Sequence, residues 1–279
     1  IEGLKNRVMS RIENIAKSAA AASRKLLIPY LVAGDPNLKT TAALMHSLVE
    51  QGADVIELGI PFSDPSSDGP VIQRGVERAL SKGTSLQQVL DLVAEFRQTD
   101  DKTGIVLMGY LNPIEIMGYQ NFVDRASSAG VDGVLIVDLP PSEASELHGM
   151  LRANKIDTIF LVAPTTRDER VEDVTALCSG YLYYVSLKGV TGAALTDYAS
   201  VAASITKLRG LTTLPIVIGF GIKDAESAAA MGQLADGVII GSALVEQIAE
   251  LADQDLHGAE ILNNSTAVIA QARAALDNL

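Results

Sequence analysis

Two acidic residues in one stretch of the chain have types and spacing that suit acid/base chemistry. Glu57 lies inside the apolar run 54–60, and Asp68 follows in a proline-rich loop. Because strand side chains alternate, Glu57 shares a face with Val55 and Gly59. On the inner face of a closed sheet, desolvation raises a carboxyl pKa towards neutral, which suits a general acid/base. The alternative is a strand-end glutamate that reaches solvent or an ion pair.

Asp68 directly precedes Gly69 and Pro70, and proline suits the first turn of a helix. One hypothesis is therefore that Asp68 forms a turn or a helix cap. The other is that a mobile loop carries it over a pocket as a second carboxylate, because two carboxylates in different environments can divide acid and base work. Asp64 has the same two interpretations, although an Asp-Pro pair is typical of a simple turn.

Three glycine-containing segments, 189–192, 219–222 and 241–243, follow apolar runs late in the chain. The last two follow the seventh and eighth predicted strands, where barrels commonly hold a phosphate on backbone N–H groups and a helix N-terminus. Glycine lets the backbone approach an anion closely. The alternative is that these glycines only form tight turns. Their number and place favour a ligand that carries a phosphate.

The elements that must position these residues alternate regularly along the chain. Eight strands alternating with helices predict a parallel sheet, and the count favours a closed (βα)8 TIM barrel over an open doubly wound sheet. Further helices are expected at 4–20 and 258–277, and the interval 54–104 has room for a long loop and two helices. The predicted strands are 28–33, 54–60, 104–108, 132–137, 157–162, 181–185, 214–218 and 236–240. The other predicted helices are 38–51, 85–97, 119–129, 142–154, 167–177, 197–209, 224–232 and 243–252.

Composition limits the possible class of protein and its partners. The 279 residues are 48% hydrophobic and 20% charged, and no linker interrupts the pattern, so we expect a single domain over 1–279. Residues 1–8 could be an extension before Met9. A formal net charge of −12 argues against nucleic acid and anionic membranes as partners. No apolar stretch reaches the roughly 18 residues of a transmembrane helix. The three histidines are scattered, so we expect no metal site. A single cysteine cannot form an internal disulfide, which fits the cytoplasm.

Other candidate side chains are expected to be structural. Cys178 and His46 suit packing or the surface, and Lys188 is better interpreted as a loop lysine than as a Schiff base. The similar strand starts at Asp54, Asp132 and Asp236 predict turn-capping aspartates without chemistry. Tyr181, Tyr183 and Tyr184 are expected to pack in a strand. Tyr183, which shares its face with Tyr181, could line the barrel interior.

An ordered set of short motifs runs over about residues 28–243. The motifs are Pro-Tyr-Leu-Val-Ala-Gly-Asp-Pro at 29–36, Glu-Leu-Gly at 57–59, Asp-Gly-Pro at 68–70, Tyr-Leu-Asn-Pro at 110–113, Asp-Leu-Pro at 138–140, Gly-Val-Thr-Gly at 189–192 and Gly-Phe-Gly-Ile at 219–222. This set resembles the tryptophan synthase alpha subunit family. The resemblance implies cleavage of indole-3-glycerol phosphate to indole and glyceraldehyde 3-phosphate by a retro-aldol reaction without metal or organic cofactor.

The resemblance also implies roles for individual residues. Glu57 matches the principal acid/base, and Asp68 matches the carboxylate that engages the indole N–H. Tyr183 matches a tyrosine beside the glycerol moiety, and Thr191 matches a threonine of a mobile loop that closes the site. The positions that match the phosphate cradle are Gly192, Phe220, Gly221, Gly241 and Ser242. Those that match the lining of the indole pocket are Tyr30, Met108, Tyr110, Leu135, Val137 and Leu161.

The family resemblance further implies a beta-subunit partner in an alpha2-beta2 complex, which carries pyridoxal phosphate and receives indole through a tunnel. Ser66 and Ser67 stand where the family usually has Leu-Ala, and Val32 replaces a common threonine. These departures bear on loop closure and coupling to the partner. Two alternatives keep the same carboxylates: a stand-alone lyase that releases indole, and a largely non-catalytic allosteric subunit.

Overall fold

The fold is a closed parallel barrel. The computed structural model describes residues 9–186, 198–219, 221–253 and 259–279. Each described strand pairs in parallel with the next along the chain, and the eighth closes the ring on the first, which confirms the barrel over the open sheet. The strands are β1 (Leu26–Val32), β2 (Val55–Gly59), β3 (Gly104–Gly109), β4 (Gly133–Ile136), β5 (Asp157–Val162), β6 (Leu182–Val185), β7 (Ile216–Gly219) and β8 (Gly237–Ile240).

Twelve helices lie in the described ranges, and one of them was not predicted. The fifth helix contains Pro113 at its third position, where a missing N–H leaves no helical hydrogen bond unmade. The helices are α1 (Arg11–Ala21), α2 (Leu38–Glu50), α3 (Pro70–Ser81), α4 (Leu86–Phe96), α5 (Leu111–Met117), α6 (Tyr119–Ala129), α7 (Ser145–Ala153), α8 (Asp168–Leu177), α9 (Tyr198–Arg209), α10 (Ala225–Leu234), α11 (Ser242–Asp253) and α12 (Ala259–Leu276).

Helix α1 begins later than the predicted 4–20. Ser10 and Glu13 form a capping box, in which the Ser10 hydroxyl accepts the Glu13 N–H at 3.1 Å and the Glu13 carboxylate accepts the Ser10 N–H at 3.1 Å. The capping box makes Arg11 the first residue of α1, so the predicted start of this helix is wrong. The Ser10 hydroxyl also donates to Asp157 Oδ2 at 2.5 Å, which ties α1 to the start of β5.

The three repeated strand-start aspartates are structural, as predicted, and each one braces a neighbouring strand. Asp54 accepts the Leu27 N–H at 2.9 Å, and Asp132 accepts the Ile105 N–H at 2.8 Å. Asp236 does the same for the seventh strand. Arginine side chains hold all three carboxylates in place. The N-terminal end of the barrel is therefore fixed by hydrogen bonds and ion pairs.

The side chains of the barrel divide into two apolar layers. Leu27 and Leu31 pack outward against the helices, whereas Ile28 and Tyr30 point into the lumen. Helix α1 closes the lower end of the lumen, where Ile12 lies over glycines at the strand starts. Helix α3 contributes its apolar face to the same lumen cluster at the opposite end. The lumen is therefore an apolar, low-dielectric interior.

Helix α1 acts as a plug at the lower end of the lumen, and truncating its Ile12 side chain should destabilise the fold. We expect Ile12→Ala to lower the free energy of unfolding by about 2–4 kcal/mol, because Ile12 has no exposed surface and its loss leaves a cavity. Urea denaturation followed by circular dichroism measures this change. The matched control is Ile116→Ala, the same substitution on a side chain that is 81% exposed, for which we expect a change within about 0.5 kcal/mol. Equal effects of both substitutions would contradict the role of α1 as a plug.

Candidate active site

Glu57 is buried in the middle of the lumen. Val55 on the same strand belongs to the lumen cluster, while Ile56 and Leu58 belong to the outer layer, as strand alternation predicts for an inward-facing Glu57. Its side chain has no exposed surface. The Tyr181 hydroxyl donates a hydrogen bond to Glu57 Oε1 at 2.5 Å from across the barrel. Glu57 Oε2 has no hydrogen-bond partner among the described residues.

The protonation state of Glu57 follows from this environment. Desolvation raises the pKa of Glu57 to about 7, although the hydrogen bond from Tyr181 acts in the opposite direction. A carboxyl with a pKa near neutral pH exchanges its proton readily in both directions, as a general acid/base requires. Oε2, which has no hydrogen-bond partner within the described ranges, is the oxygen at which such an exchange would take place.

Asp68 lies at the mouth of the barrel and does not cap a helix. Gly69 is the N-cap of α3 and Pro70 its first residue, and the cap makes no side-chain hydrogen bond. The Tyr110 hydroxyl donates to Asp68 Oδ2 at 3.0 Å and accepts the Ser67 N–H at 3.0 Å. Burial raises the pKa of Asp68, and the hydrogen bond from Tyr110 partly offsets the rise. The helix-cap half of the structural hypothesis for Asp68 is therefore wrong, whereas its turn half holds, because the Asp68 N–H donates to the Pro65 carbonyl oxygen at 3.0 Å.

An apolar cavity opens beside Asp68. Its wall includes an aromatic pair, Phe62 and Tyr110, whose ring centroids lie 5.5 Å apart. The chemistry of this wall suits a flat apolar ring whose one polar N–H points to Asp68, but the cavity of about 10 Å³ must widen to admit such a ring. Of the residues expected to line an indole pocket, Tyr30, Met108, Tyr110 and Val137 line this cavity. Side chains that were not expected also line it: Ile60, Phe62, Pro65 and Val76.

Two other expected pocket residues lie away from this cavity lining. Leu135 is buried in the lumen cluster, and Leu161 packs against the same cluster. Tyr183 is also buried in the lumen, where its hydroxyl occupies the space that a side chain at Gly219 would need. Burial and the nearby charges of Glu57 and Asp68 raise the pKa of Tyr183, so this phenol stays protonated.

The predicted phosphate positions that the structure describes lie after β7 and β8. Gly221 has a φ of +76°, which a side chain would strain, and it stands directly after β7 in the chain. Helix α11 begins at Ser242, immediately after β8 and Gly241. Free N–H groups at a helix N-terminus attract anions. The other two predicted positions of the phosphate cradle, Gly192 and Phe220, lie outside the described residues. The loop residues Thr191 and Lys188 also lie outside them.

The described part of the chain contains no group of three or more metal-ligating His, Cys, Asp or Glu side chains. Within that same part, no helix is long and apolar enough to cross a membrane. Cys178 is buried and its thiol lies 3.2 Å from the Tyr181 carbonyl oxygen, and His46 stacks on Phe96 at 4.8 Å. Both side chains are structural, as predicted.

Comparison with known proteins decides the family. The family model for the tryptophan synthase alpha chain matches residues 16–274. This chain belongs to that family. The tryptophan synthase alpha chain of Marinobacter nauticus is 54% identical over 272 residues, which cover 97% of this chain and 99% of the relative. That of Methylococcus capsulatus is 59% identical over 246 residues, covering 88% of this chain and 92% of the relative.

Solved structures agree with the sequence relatives. The crystal structure of tryptophan synthase subunit alpha from Legionella pneumophila str. Paris superimposes with a TM-score of 0.90 at 43% identity, covering 98% of this chain and all of that one. The resemblance seen in the motifs is thus confirmed. As a member of the tryptophan synthase alpha chain family, the chain is a lyase of tryptophan biosynthesis. Its reaction is the cleavage of indole-3-glycerol phosphate. Membership of this family also implies a beta-chain partner.

Sequence reasoning missed one important member of this alpha chain site. Tyr181 was interpreted as strand packing, but it supplies the hydrogen bond that Glu57 receives. The parity of Tyr181 with Tyr183 placed both on one face, and this was the available signal. Nothing local could pair Tyr181 with a strand 124 positions away.

Tyr181→Phe tests the electrostatic account of Glu57. Removing a hydrogen bond that favours the charged carboxylate should raise the pKa of Glu57 further, by about one unit. Carboxyl ¹³C NMR of glutamate-labelled protein, assigned with Glu57→Gln, measures the titration. Tyr183→Phe is the control: it removes the hydroxyl of a second lumen tyrosine that makes no hydrogen bond to Glu57 in the described structure. This variant should leave the pKa of Glu57 unchanged. A lower or unchanged pKa in Tyr181→Phe would refute the account.

Proposed function

We propose that Glu57 is the acid/base of indole-3-glycerol phosphate cleavage and that Asp68 is the second carboxylate. The observation that carries the proposal is the fully buried Glu57, with one oxygen held by Tyr181, the other unpartnered, and a pKa near 7. Such a group supplies a proton and takes one back at neutral pH.

The proposed reaction takes up one proton and releases one. Glu57 protonates indole C3, and the ring becomes an indolenine-like species with positive charge on its nitrogen. Glu57, now ionised, then takes the proton from the hydroxyl on the adjoining glycerol carbon, which forms the aldehyde, breaks the carbon–carbon bond and returns Glu57 to its protonated state. The electron pair of that bond returns to the ring and restores indole. The other product is glyceraldehyde 3-phosphate.

Asp68 is proposed to stabilise the charge that develops on the ring nitrogen. Tyr110 holds Oδ2 of its carboxylate at the wall of the apolar cavity. A carboxylate in a partly desolvated site stabilises a nearby cation more strongly than it would in water. Two carboxylates at different depths therefore take different roles: the buried Glu57 exchanges protons, and Asp68 at the mouth stays charged.

The remaining parts of the substrate are assigned to the residues around these carboxylates. The phosphate would bind the backbone N–H groups near Gly221, Gly241 and Ser242, together with Gly192 and Phe220. Tyr183 would contact the glycerol moiety, and Thr191 would help to close the loop over the site. The indole ring would lie in the cavity lined by Tyr30, Met108, Tyr110 and Val137, with Leu135 and Leu161 behind it.

Cleavage in this scheme needs no cofactor on the chain, because the indole ring itself accepts the electron pair. Pyridoxal phosphate is expected only on the beta subunit, in an alpha2-beta2 complex in the cytoplasm. The surface proposed to meet that partner combines the loop 61–69 with α5. Ser66 and Ser67 lie on this loop, Tyr110 joins it to the start of α5, and Ile116 of α5 is 81% exposed. Indole would pass from this face through a tunnel.

Indole release from indole-3-glycerol phosphate tests the proposal. We expect slow release by the purified chain alone and a large acceleration when a cognate beta subunit is added. Fast release without any effect of the partner would favour a stand-alone lyase. Absence of release under both conditions would favour a non-catalytic allosteric subunit and would contradict the proposed chemistry.

The same assay tests the two carboxylates through isosteric variants. Glu57→Gln should lower turnover by several orders of magnitude, because it removes the proton carrier, while circular dichroism shows an unchanged fold. Asp68→Asn should also lose most activity, because a neutral amide does not stabilise the ring cation. Turnover close to wild type in Glu57→Gln would mean that another group carries the proton.

A further inference from the structure

Helix α3 begins two residues after Asp68, and the C-terminal half of the helix is held against the turn that follows β1. In that turn, Asp35 is 1% exposed. Its two carboxylate oxygens accept hydrogen bonds from Nε and Nη2 of Arg78, each at 2.7 Å. Such a fork fixes both the direction and the distance of the two groups, which apolar packing does not do. Arg78 lies near the end of α3, ten positions beyond Asp68.

A glycine allows helix α3 to pack this closely against the turn that follows β1. Gly75 lies one turn before Arg78, and a Cβ at this position would lie 2.9 Å from Asp35 Oδ2. The same Cβ would lie 3.1 Å from Val245 of α11 and 3.3 Å from Val32 of β1. Helix α3 is therefore seated against the β1 turn and against the helix that starts at Ser242. Its position relative to both is set with little freedom.

The near end of α3 holds the backbone of Asp68. The Gln73 side chain reaches back and donates to the Asp68 carbonyl oxygen at 2.8 Å. Pro70 starts the helix with a fixed φ. A shift or rotation of α3 therefore moves Asp68 relative to Tyr110, which belongs to a different strand–helix unit. The length and strength of the hydrogen bond between Tyr110 and Asp68 therefore depend on the position of α3.

We propose that Asp35 and Arg78, seated at Gly75, are a positioning pair that holds Asp68 in its working place through the rigid helix α3. The pair touches neither carboxylate of the proposed reaction and acts only through geometry. The role in catalysis rests on the proposed function, whereas the positioning of Asp68 does not. Lysine should fail to replace Arg78, because a point charge does not reproduce the planar fork that fixes the helix.

The test compares Arg78→Lys with Arg97→Lys. Arg97 also pairs with a buried aspartate, Asp132, at the opposite end of the barrel, through one Nη2–Oδ2 contact in place of a fork. The control therefore matches the substitution and the disturbance of a buried pair, but at a distance from Asp68. The first measurement is the ¹³C NMR titration of the Asp68 carboxyl without substrate, assigned with Asp68→Asn. The second is kcat/KM for indole release. Asp35→Asn serves as an independent variant of the same pair.

We expect Arg78→Lys and Asp35→Asn to raise the pKa of Asp68, because displacement weakens the Tyr110 hydrogen bond that lowers it. The value of kcat/KM should fall about tenfold in each, and the double variant should be no worse than the single ones, since both break one interaction. Arg97→Lys should leave the Asp68 titration unchanged even if its unfolding temperature falls as much.

An unchanged Asp68 titration in Arg78→Lys, or an equal shift in Arg97→Lys, would overturn the positioning role. A fall in kcat/KM without any shift of Asp68 would overturn it as well. If the wild-type chain releases no indole and Asp68 still shifts in Arg78→Lys, the proposed reaction fails and the positioning pair stands.

Discussion

Glu57 occupies an apolar lumen, where an ionised carboxylate loses its hydration and costs free energy. Much of the structure is arranged around this constraint. Helix α1 packs at the lower end of the lumen and α3 contributes apolar side chains at the upper end, and Glu57 has no exposed surface. The Tyr181 hydrogen bond offsets only part of the desolvation, so the pKa remains near neutral. In the proposed reaction this unfavourable burial is what suits Glu57 to exchange protons, because a fully stabilised carboxylate would be a weak base.

The two ends of the barrel use charged groups in different ways. At the N-terminal end, aspartates at the strand starts are paired with arginines and brace neighbouring strands, which stabilises the fold. At the C-terminal end, the Asp68 carboxylate accepts a hydrogen bond from the Tyr110 hydroxyl, which in the proposed reaction leaves its charge to the substrate. Barrels generally separate stability and chemistry in this way. The Asp35–Arg78 pair is an ion pair at the functional end, and it lies behind the site on α3.

The regular alternation of apolar runs was sufficient to predict the barrel, because each strand and helix carries its own periodicity. The pattern predicts a second strand from 54, and β2 begins at Val55. It missed α5, whose Asn-Pro pair resembles a turn and whose short length leaves little periodicity. Strand parity also placed Glu57 inside the lumen. It could not give the partner of Glu57 or the anchor of α3, because Tyr181 and Asp35 come from distant elements brought together only by the closed barrel. The family resemblance supplied several residues of the cavity, which local patterns alone could not.

The pH dependence of stability tests most directly whether the burial of Glu57 raises its pKa. Unfolding returns Glu57 to water, where the pKa is about 4.5, so between pH 4.5 and 7 the folded state holds a proton that the unfolded state has released. Stability should therefore fall as pH rises through this window. Urea denaturation of the wild type and of Glu57→Gln, which cannot ionise, isolates this contribution. The account predicts that the wild type loses about 3 kcal/mol relative to Glu57→Gln between pH 4 and pH 8. A difference between the two proteins that stays constant across this range would contradict it.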